Sequence, residues 1–380
     1  MISKNEIYLD NAATTSVSPQ VAAVINDVML NCYGNPSSLH KKGLEARLLL
    51  DKAAKQIGES LGVNADNVLF TSGGTEADNL AVIGAAMAKK RRGNRIVTTA
   101  IEHSAVLAST KYLESLGFEV ITIQPKNGQI LAADIVDAVN DNTVLVSMMA
   151  VNNETGCTLP VNEAAKAIRR KNNDTLIHCD SVACYGKIPL KIGSSLDIDL
   201  LSLSGHKIHA PKGIGALIVK KGVRILPRSY GGSQGKGLRT GTEPLPLACG
   251  LAKASEIAIN NIGKNQANFT MLNNYLTNKL LEIDNVCINS PANSAPFIVN
   301  ASILGIRSEI MLHFLESKEI YLSSGSACSK GAKSHVLTAM GIDHKIIDSA
   351  LRISFCDYTT TQQLDTFIAA IREGIATIRR

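Results

Sequence analysis

The chain has 380 residues, of which 45% are hydrophobic and 19% charged, so it can bury a large core behind a charged surface. This composition excludes a disordered chain, a collagen and a coiled coil, and the length favours two domains over one. The net charge of +6 comes from 39 basic and 33 acidic residues scattered along the chain. This scattered distribution argues against direct binding of nucleic acid.

The eight cysteines include no CxxC pair, and the first residues have no apolar signal region. No apolar run approaches the ~18 residues that would span a bilayer. We therefore expect a cytoplasmic protein with reduced thiols and no membrane contact.

Short β-rich runs alternate with amphipathic helical patterns in the first part of the chain. The predicted strands are 68–71, 95–100, 119–123, 143–149, 175–179, 198–203 and 216–220. Helices are predicted between most of them, near 75–91, 104–116, 132–139 and 161–172. This alternation predicts an α/β fold with a mostly parallel seven-stranded sheet flanked by helices. Ligands of such sheets bind at the carboxyl ends of the strands.

A second set of elements follows a long helical region at about 245–283. It comprises strands at 286–289, 297–302, 319–322 and 351–355 and a helix at 361–378. These elements predict a smaller α+β domain. We expect a large domain over residues 15–260, and a small domain built from residues 1–14 and 261–380.

A glycine-rich turn follows the first predicted strand of the sheet. Its sequence is Ser72-Gly73-Gly74-Thr75-Glu76, and a helix follows. Free backbone N–H groups and the Thr75 hydroxyl at a helix N-terminus are suited to bind a phosphate. A glycine turn with a threonine cap explains the same residues about as well, so the motif alone does not identify a site.

A lysine and an aspartate end two other buried strands. Lys207 lies among hydroxyls and imidazoles directly after a strand, where an amine can form a Schiff base, although most lysines are solvated surface residues. Asp180 ends an apolar strand, where it either holds a cationic ring nitrogen or caps the next turn. Together with a phosphate-binding turn, these residues meet the requirements of pyridoxal phosphate for anchoring, electronic tuning and covalent attachment.

Two further residues have reactive side chains at positions that favour a functional role. His103 follows a strand and either stacks on the pyridine ring while exchanging protons or is a core histidine. Cys328 lies in a loop of serine, glycine and alanine, where little apolar packing is available to bury a thiol. This setting predicts a reactive cysteine.

Several motifs resemble those of cysteine desulfurases of the NifS/IscS type, in the class V aminotransferase group of fold-type I pyridoxal-phosphate enzymes. They are residues 8–15, 34–40, 71–76, 151–156, the SGHK run ending at Lys207, residues 237–242 and the SSGSAC loop ending at Cys328. The resemblance extends over nearly the whole chain. It implies the fold-type I architecture, with the small domain carrying the Cys328 loop.

The resemblance also implies a role for each matching residue. It makes Lys207 the Schiff-base lysine, Asp180 the partner of the pyridinium and His103 the stacking acid–base. Asn153 and Arg352 resemble the groups that hold the substrate carboxylate, and Asn153 also contacts the cofactor. The implied cofactor-phosphate contacts are Gly74, Thr75, Ser204 and His206, with Thr242 donated by the other subunit of a homodimer.

The reaction that the resemblance implies converts L-cysteine to L-alanine and leaves a persulfide on Cys328. The sulfur would pass to an acceptor protein, either an iron–sulfur scaffold or a tRNA-thiolation sulfurtransferase. No intrinsic metal is expected, although Cys328 can transiently ligate an iron–sulfur cluster. The alternatives are a selenocysteine lyase, another class V aminotransferase-like enzyme, or a weakly active desulfurase-like scaffold. The scaffold hypothesis arises because Ala183 and Gly235 replace a glutamine and a glutamate that the family usually carries.

Overall fold

The fold comes from a computed structural model, in which residues 6–325 and 334–378 are described. Its strands belong to three sheets of seven, three and two strands. In chain order they are β1 (Ile7–Tyr8), β2 (Val68–Thr71), β3 (Arg95–Thr99), β4 (Glu119–Ile123), β5 (Thr143–Met149), β6 (Leu176–Asp180), β7 (Leu200–Ser204), β8 (Gly215–Val219), β9 (Val286–Ile288), β10 (Ile298–Ile303), β11 (Ile320–Tyr321) and β12 (Ala350–Ser354).

The largest sheet has the strand order β2-β8-β7-β6-β5-β3-β4. Strand β8 is antiparallel to both of its neighbours, and every other pair in this sheet is parallel. All residues of β5, β6 and β7 are buried, as expected for central strands of a parallel sheet covered on both faces. The predicted α/β fold with a mostly parallel seven-stranded sheet is confirmed.

Helices cover this sheet and build most of the remaining structure. They are α1 (Pro19–Asn31), α2 (Lys41–Leu61), α3 (Gly74–Lys89), α4 (Ser104–Ser115), α5 (Ala132–Ala138), α6 (Val161–Lys171), α7 (Leu245–Asn260), α8 (Ile262–Leu281), α9 (Ser308–Glu316), α10 (His335–Ala339), α11 (His344–Ile347) and α12 (Thr361–Ile378). The long helical region predicted after residue 245 is two helices that meet at Asn261. Helices α1 and α2, which were not predicted, pack against α7. Within the described residues, no helix is both long and apolar enough to cross a bilayer.

The two smaller sheets combine the beginning and the end of the chain. Strands β12, β10 and β9 form an antiparallel sheet, and β1 pairs with β11 in parallel. Asp10 extends this contact through a bridge to Ser354 at the end of β12. The division into domains over 15–260 and over 1–14 with 261–380 stays a prediction.

One apolar core continues from the large sheet into the antiparallel sheet. It includes Leu201 of β7 and Val299 of β10. Because the core is continuous, the carboxyl ends of the parallel strands have a fixed position relative to β12. Residues from both regions can therefore form one rigid site.

Candidate functional site

Lys207 lies at the end of a short 3₁₀ turn, Gly205–Lys207, that follows β7 directly. Its Nζ donates hydrogen bonds to the carbonyl oxygens of Ala12 and Ala13, the latter over 2.8 Å. Burial lowers the pKa of Lys207 to about 7, and the positive charges of Arg352 and Lys187 act in the same direction. The amine therefore loses its proton near neutral pH, which allows it to act as a nucleophile or base.

Asp180 is the last residue of β6, on the strand next to β7. Its Oδ1 accepts a hydrogen bond of 2.9 Å from the backbone N–H of Val182. Burial raises the pKa of this carboxyl, while that hydrogen bond and the charges of His103 and Lys207 favour the carboxylate. A buried carboxylate in this setting is available to pair with a cation in the pocket.

A buried polar network supports β6 from within the sheet. The Nδ1 of His178 lies 2.9 Å from Ser147 Oγ, and its Nε2 lies 2.9 Å from Ser202 Oγ. Burial lowers the pKa of His178 to about 3, so the ring is neutral. Asp78 on α3 is also buried, and desolvation and the charge of Asp180 raise its pKa well above the ordinary value. The charge of Asp180 therefore favours the protonated form of Asp78.

His103 caps the N-terminus of α4 with its own side chain. Its Nδ1 accepts a hydrogen bond of 3.2 Å from the backbone N–H of Ala105. Burial lowers the pKa of His103, and the charge of Asp180 opposes this shift. The neutral ring therefore carries its proton on Nε2, which leaves one N–H to interact with a ligand.

The N-terminus of α3 and the end of β7 form a polar cradle. A Cβ on Gly74 would lie 2.7 Å from Cγ2 of Val182, so a larger residue would force Val182 or α3 to shift. Ser204 Oγ is buried and has no hydrogen-bond partner among the described residues. His206, two residues after Ser204, lines the same pocket, and burial lowers the pKa of this histidine to about 4. Backbone N–H groups, a free hydroxyl and an imidazole are suited to bind an anion such as a phosphate.

Arg352 reaches the same space from β12, and its side chain is 1% exposed. Its Nη2 donates to Asp10 Oδ1 over 2.7 Å, and its Nη1 donates to the carbonyl oxygen of Asn153 over 3.0 Å. The turn that carries Asn153 is fixed by Asn152, whose Oδ1 accepts from the backbone N–H groups of Glu154 and Thr155. A fixed, buried guanidinium is therefore available to a carboxylate that enters the pocket.

The structure brings most of the candidate residues into a single pocket. Those that line it are Gly74, Thr75, His103, Asn153, Asp180, Ser204, His206, Lys207 and Arg352. Ala183, which replaces the usual glutamine, also lines it. Thr242 is exposed and does not line the pocket of its own chain, and Cys328 lies outside the described residues.

Comparison with known proteins identifies the family. The family model described as "Aminotransferase class-V" matches residues 7–367. The chain belongs to the class V aminotransferases. It is 38% identical over 377 residues to "Cysteine desulfurase IscS" of Methanosarcina thermophila, covering 98% of this chain and 93% of the relative.

Solved structures agree with this assignment to the class V aminotransferases. A "NIFS-LIKE PROTEIN" has a TM-score of 0.93 and 36% identity, covering 98% of this chain and 99% of that one. "SspA in complex with cysteine" has a TM-score of 0.80 and 30% identity, covering 93% of this chain and 100% of that one. The fold is therefore that of fold-type I enzymes, and the family depends on pyridoxal phosphate.

The pocket residues fit this class V cofactor. The buried hydroxyl of Ser204 without a partner and the close approach at Gly74 suit its phosphate. Asp180 and Lys207 supply the two remaining requirements, a buried carboxylate for the ring nitrogen and an amine for covalent attachment.

Three acidic residues near the pocket were not predicted from the sequence. Asp10 pairs with Arg352, Asp78 lines the pocket, and Glu102 is buried beside His103. Burial raises the pKa of Glu102 to about 8, although its Oε1 accepts hydrogen bonds from Thr99 and the backbone N–H of Met149. The spacing of Gly74 and Asp78, one helical turn apart, is a signal in the sequence that could have indicated Asp78.

Proposed function

We propose that this protein is a pyridoxal-phosphate-dependent cysteine desulfurase that converts L-cysteine to L-alanine. The observation that carries the proposal is the single pocket that contains Lys207, Asp180, His103 and Arg352. The relatives are named cysteine desulfurases, which supports L-cysteine as the substrate. The sulfur of the substrate bonds to the thiolate of Cys328, so that one thiol and one cysteine yield one persulfide and one alanine.

Lys207 performs the proton transfer in this proposal. Bound pyridoxal phosphate supplies an electron sink for the negative charge that develops when the substrate loses its α-proton. Lys207 Nζ accepts that proton, since its lowered pKa allows the neutral amine to be present near pH 7. Asp180 stabilises a proton on the ring nitrogen, and His103 offers its Nε2–H to the ligands of the same pocket.

Arg352 and Asn153 select an amino acid as the substrate. The guanidinium of Arg352 binds the α-carboxylate, because it is the buried cation on the β12 side of the pocket. Asn153 lies next to it and lines the same wall. Gly74, Thr75, Ser204 and His206, which line the same pocket, hold the cofactor phosphate.

The protein acts as a homodimer in this proposal. Six large apolar side chains are exposed from the end of α1 into α2, with exposed fractions from 57% for Leu44 to 103% for Leu39: Met29, Leu30, Tyr33, Leu39, Leu44 and Leu48. We call this surface the α1–α2 apolar face. Exposed apolar side chains concentrated in one segment of the chain favour a protein interaction site there. A groove lined by Arg47 and Glu243 lies between α2 and the Thr242 segment, which supports donation of Thr242 to the pocket of a partner subunit.

The persulfide sulfur then passes to an acceptor protein. Several relatives are named "Cysteine desulfurase IscS", which supports a role in sulfur mobilisation. Iron–sulfur scaffolds and tRNA-thiolation sulfurtransferases are the two acceptor classes that we propose. Incubation of the persulfide form with each class distinguishes them by transfer of labelled sulfur.

The experiment that tests the function compares wild type with Cys328→Ala and Cys287→Ala. We expect wild type to release sulfide and alanine in equal amounts from L-cysteine when a reductant is present. Cys328→Ala should retain the cofactor absorbance but release neither product. Cys287 is half-buried on β9, away from the pocket, so Cys287→Ala should match wild type.

Two outcomes would contradict this function. Sulfide release by Cys328→Ala at the wild-type rate would show that another group accepts the sulfur. Alanine without sulfide, or no reaction of L-cysteine with a yellow wild-type protein, would indicate a different class V reaction.

A further inference from the structure

Arg352 is almost completely removed from water, so the groups that touch it determine its orientation. Two of its nitrogens have partners, Nη1 with the Asn153 carbonyl and Nη2 with Asp10 Oδ1. The Nε atom is buried and has no hydrogen-bond partner among the described residues. A guanidinium has five N–H donors, so the two bonds fix its plane and leave donors for an incoming carboxylate.

Asp10 is itself held firmly on the strand that carries Arg352. Asp10 forms a bridge with Ser354 of β12, and the Oγ of Ser354 accepts a hydrogen bond of 2.8 Å from the backbone N–H of Ala12. The side chain of Asn11 donates to the Ser354 carbonyl over 2.9 Å. The carboxylate of Asp10 therefore occupies a position that backbone contacts determine before any ligand binds.

The same turn also reaches the catalytic amine. Lys207 Nζ donates to the carbonyl oxygens of Ala12 and Ala13, and the backbone N–H of Ala13 donates to the Asp10 carbonyl over 2.9 Å. The positive charge of Arg352 lowers the pKa of Lys207, and the negative charge of Asp10 opposes that effect. The turn from Asp10 to Ala13 thus contacts both the base and the carboxylate-binding group.

We propose that Asp10 is a positioning residue that orients the guanidinium of Arg352 toward the α-carboxylate of the substrate. The inference rests on the proposed function of Arg352 as the carboxylate-binding group. Asp10 uses one N–H of Nη2 and the Asn153 carbonyl uses one of Nη1, so Nε–H and the second hydrogens of Nη1 and Nη2 remain available to the substrate. Its effect is to hold those donors in the orientation that a bidentate carboxylate needs.

The test uses two ligands that differ only in the carboxylate. L-Alanine and ethylamine are titrated into the holoenzyme, and the change in cofactor absorbance gives each dissociation constant. We expect Asp10→Ala to weaken L-alanine binding on the order of tenfold, with Asp10→Asn intermediate because its amide oxygen still accepts a hydrogen bond. Ethylamine binding should change far less than L-alanine binding in either variant, since Asp10 affects it only through the pKa of Lys207. In an Arg352→Ala background, Asp10→Ala should cause no further loss of L-alanine affinity.

Asp199→Asn is the matched control. It alters the carboxylate of another ion pair with low exposure, Arg169 with Asp199, which lies outside the pocket. Its L-alanine affinity should equal that of wild type. Melting temperatures of all variants separate a folding defect from a binding defect.

Several results would overturn the role of Asp10. Equal loss of L-alanine and ethylamine binding would show general damage to the pocket. Tighter L-alanine binding in Asp10→Ala would show that Asp10 competes with the substrate, and an additive loss in the Arg352→Ala background would show action through another group. None of these readouts requires sulfide release. A protein that shows the expected binding pattern but does not desulfurate L-cysteine would therefore refute the proposed desulfurase function and leave the role of Asp10 standing.

Discussion

At the scale of single residues, the chemistry of Lys207 depends on charges from three separate parts of the chain. Arg352 comes from β12, Lys187 from the segment after β6, and Asp10 from the N-terminal turn. Lys187 is itself buried, its Nζ lies 4.9 Å from the centre of the Phe297 ring, and burial lowers its pKa to about 8. Two neighbouring cations and burial together keep the amine of Lys207 reactive near neutral pH.

This environment predicts how cofactor attachment depends on pH. Below a pKa of about 7 the amine of Lys207 is protonated and cannot attack the cofactor aldehyde, whereas above it the neutral amine predominates. The rate of attachment to apo-protein should therefore rise through a midpoint near pH 7, measured by the cofactor absorbance. Lys187→Met removes one of the charges that lower this pKa, so its midpoint should lie at higher pH.

The matched control for this pH profile is Lys220→Met, which removes an exposed lysine bound to Asp197, away from the pocket. Its midpoint should equal that of wild type. A wild-type midpoint above pH 9 would show that the amine of Lys207 has an ordinary pKa in the folded protein.

At the scale of elements, the sequence predicted the strands better than the helices of the N-terminal region. Strands such as β3 and β5 are buried runs that contain several β-branched residues, so their pattern is visible without tertiary information. Helices α1 and α2 were not predicted, and both expose large apolar side chains such as Leu30 and Leu48. Apolar residues on the outer face obscure the amphipathic period that indicates a helix.

Pocket residues were likewise predicted where a local sequence pattern marks them and missed where their role depends on distant contacts. Candidate residues that directly follow strands, such as Asp180 and Lys207, were identified because a sheet of parallel strands collects such positions at one edge. Glu102 was missed although it is adjacent to His103, since its burial depends on a contact with Met149 from another strand. The pairing of Asp10 with Arg352 spans almost the whole chain, and no local pattern indicates it.

The close approach of α3 to the segment after β6 predicts that a larger residue at position 74 displaces the whole helix. In Gly74→Ala the new methyl group would meet Val182 at 2.7 Å, so α3 would shift and the cofactor phosphate would bind less tightly. We expect the cofactor affinity to fall about tenfold, measured by equilibrium titration of apo-protein. Because the obstacle is a side chain, Gly74→Ala with Val182→Ala should recover much of that affinity.

Gly263→Ala provides the control for the Gly74 substitution. Gly263 lies in α8, and a Cβ there would have no atom within 4 Å. Cofactor affinity should be unchanged, and stability should rise by roughly 0.5–1 kcal/mol because alanine favours the helix. If Val182→Ala does not recover the cofactor affinity lost in Gly74→Ala, glycine is required at position 74 for its backbone conformation and not to avoid a clash with Val182.

At the scale of the whole molecule, each chain places its described candidate residues in the pocket except for Thr242. Thr242 is exposed, and its segment lines a groove with Ser37 and Arg47 beside the α1–α2 apolar face. Because that face is the site proposed for dimer contact, Thr242 would lie close to the partner subunit. A complete phosphate site would then require two chains.

Dimerisation and completion of the site can be tested separately. Leu39→Glu places a charge in the α1–α2 apolar face, so we expect a monomer by analytical ultracentrifugation and weaker cofactor binding. Leu281→Glu changes an exposed leucine on α8, outside that face, and it should remain dimeric. A monomeric wild-type protein, or a dimeric Leu39→Glu protein, would place the interface elsewhere.

Mixing two inactive or weakened variants tests whether Thr242 serves the other chain. Lys207→Ala lacks the attachment amine, and Thr242→Ala lacks the phosphate contact. If Thr242 acts across the interface, a mixed dimer combines the intact Lys207 of one chain with the intact Thr242 of the other. The exchanged mixture should therefore bind cofactor at one site per mixed dimer with wild-type affinity. If Thr242 acts within its own chain, no site in the mixture contains both groups, and only the weak affinity of Thr242→Ala should be observed.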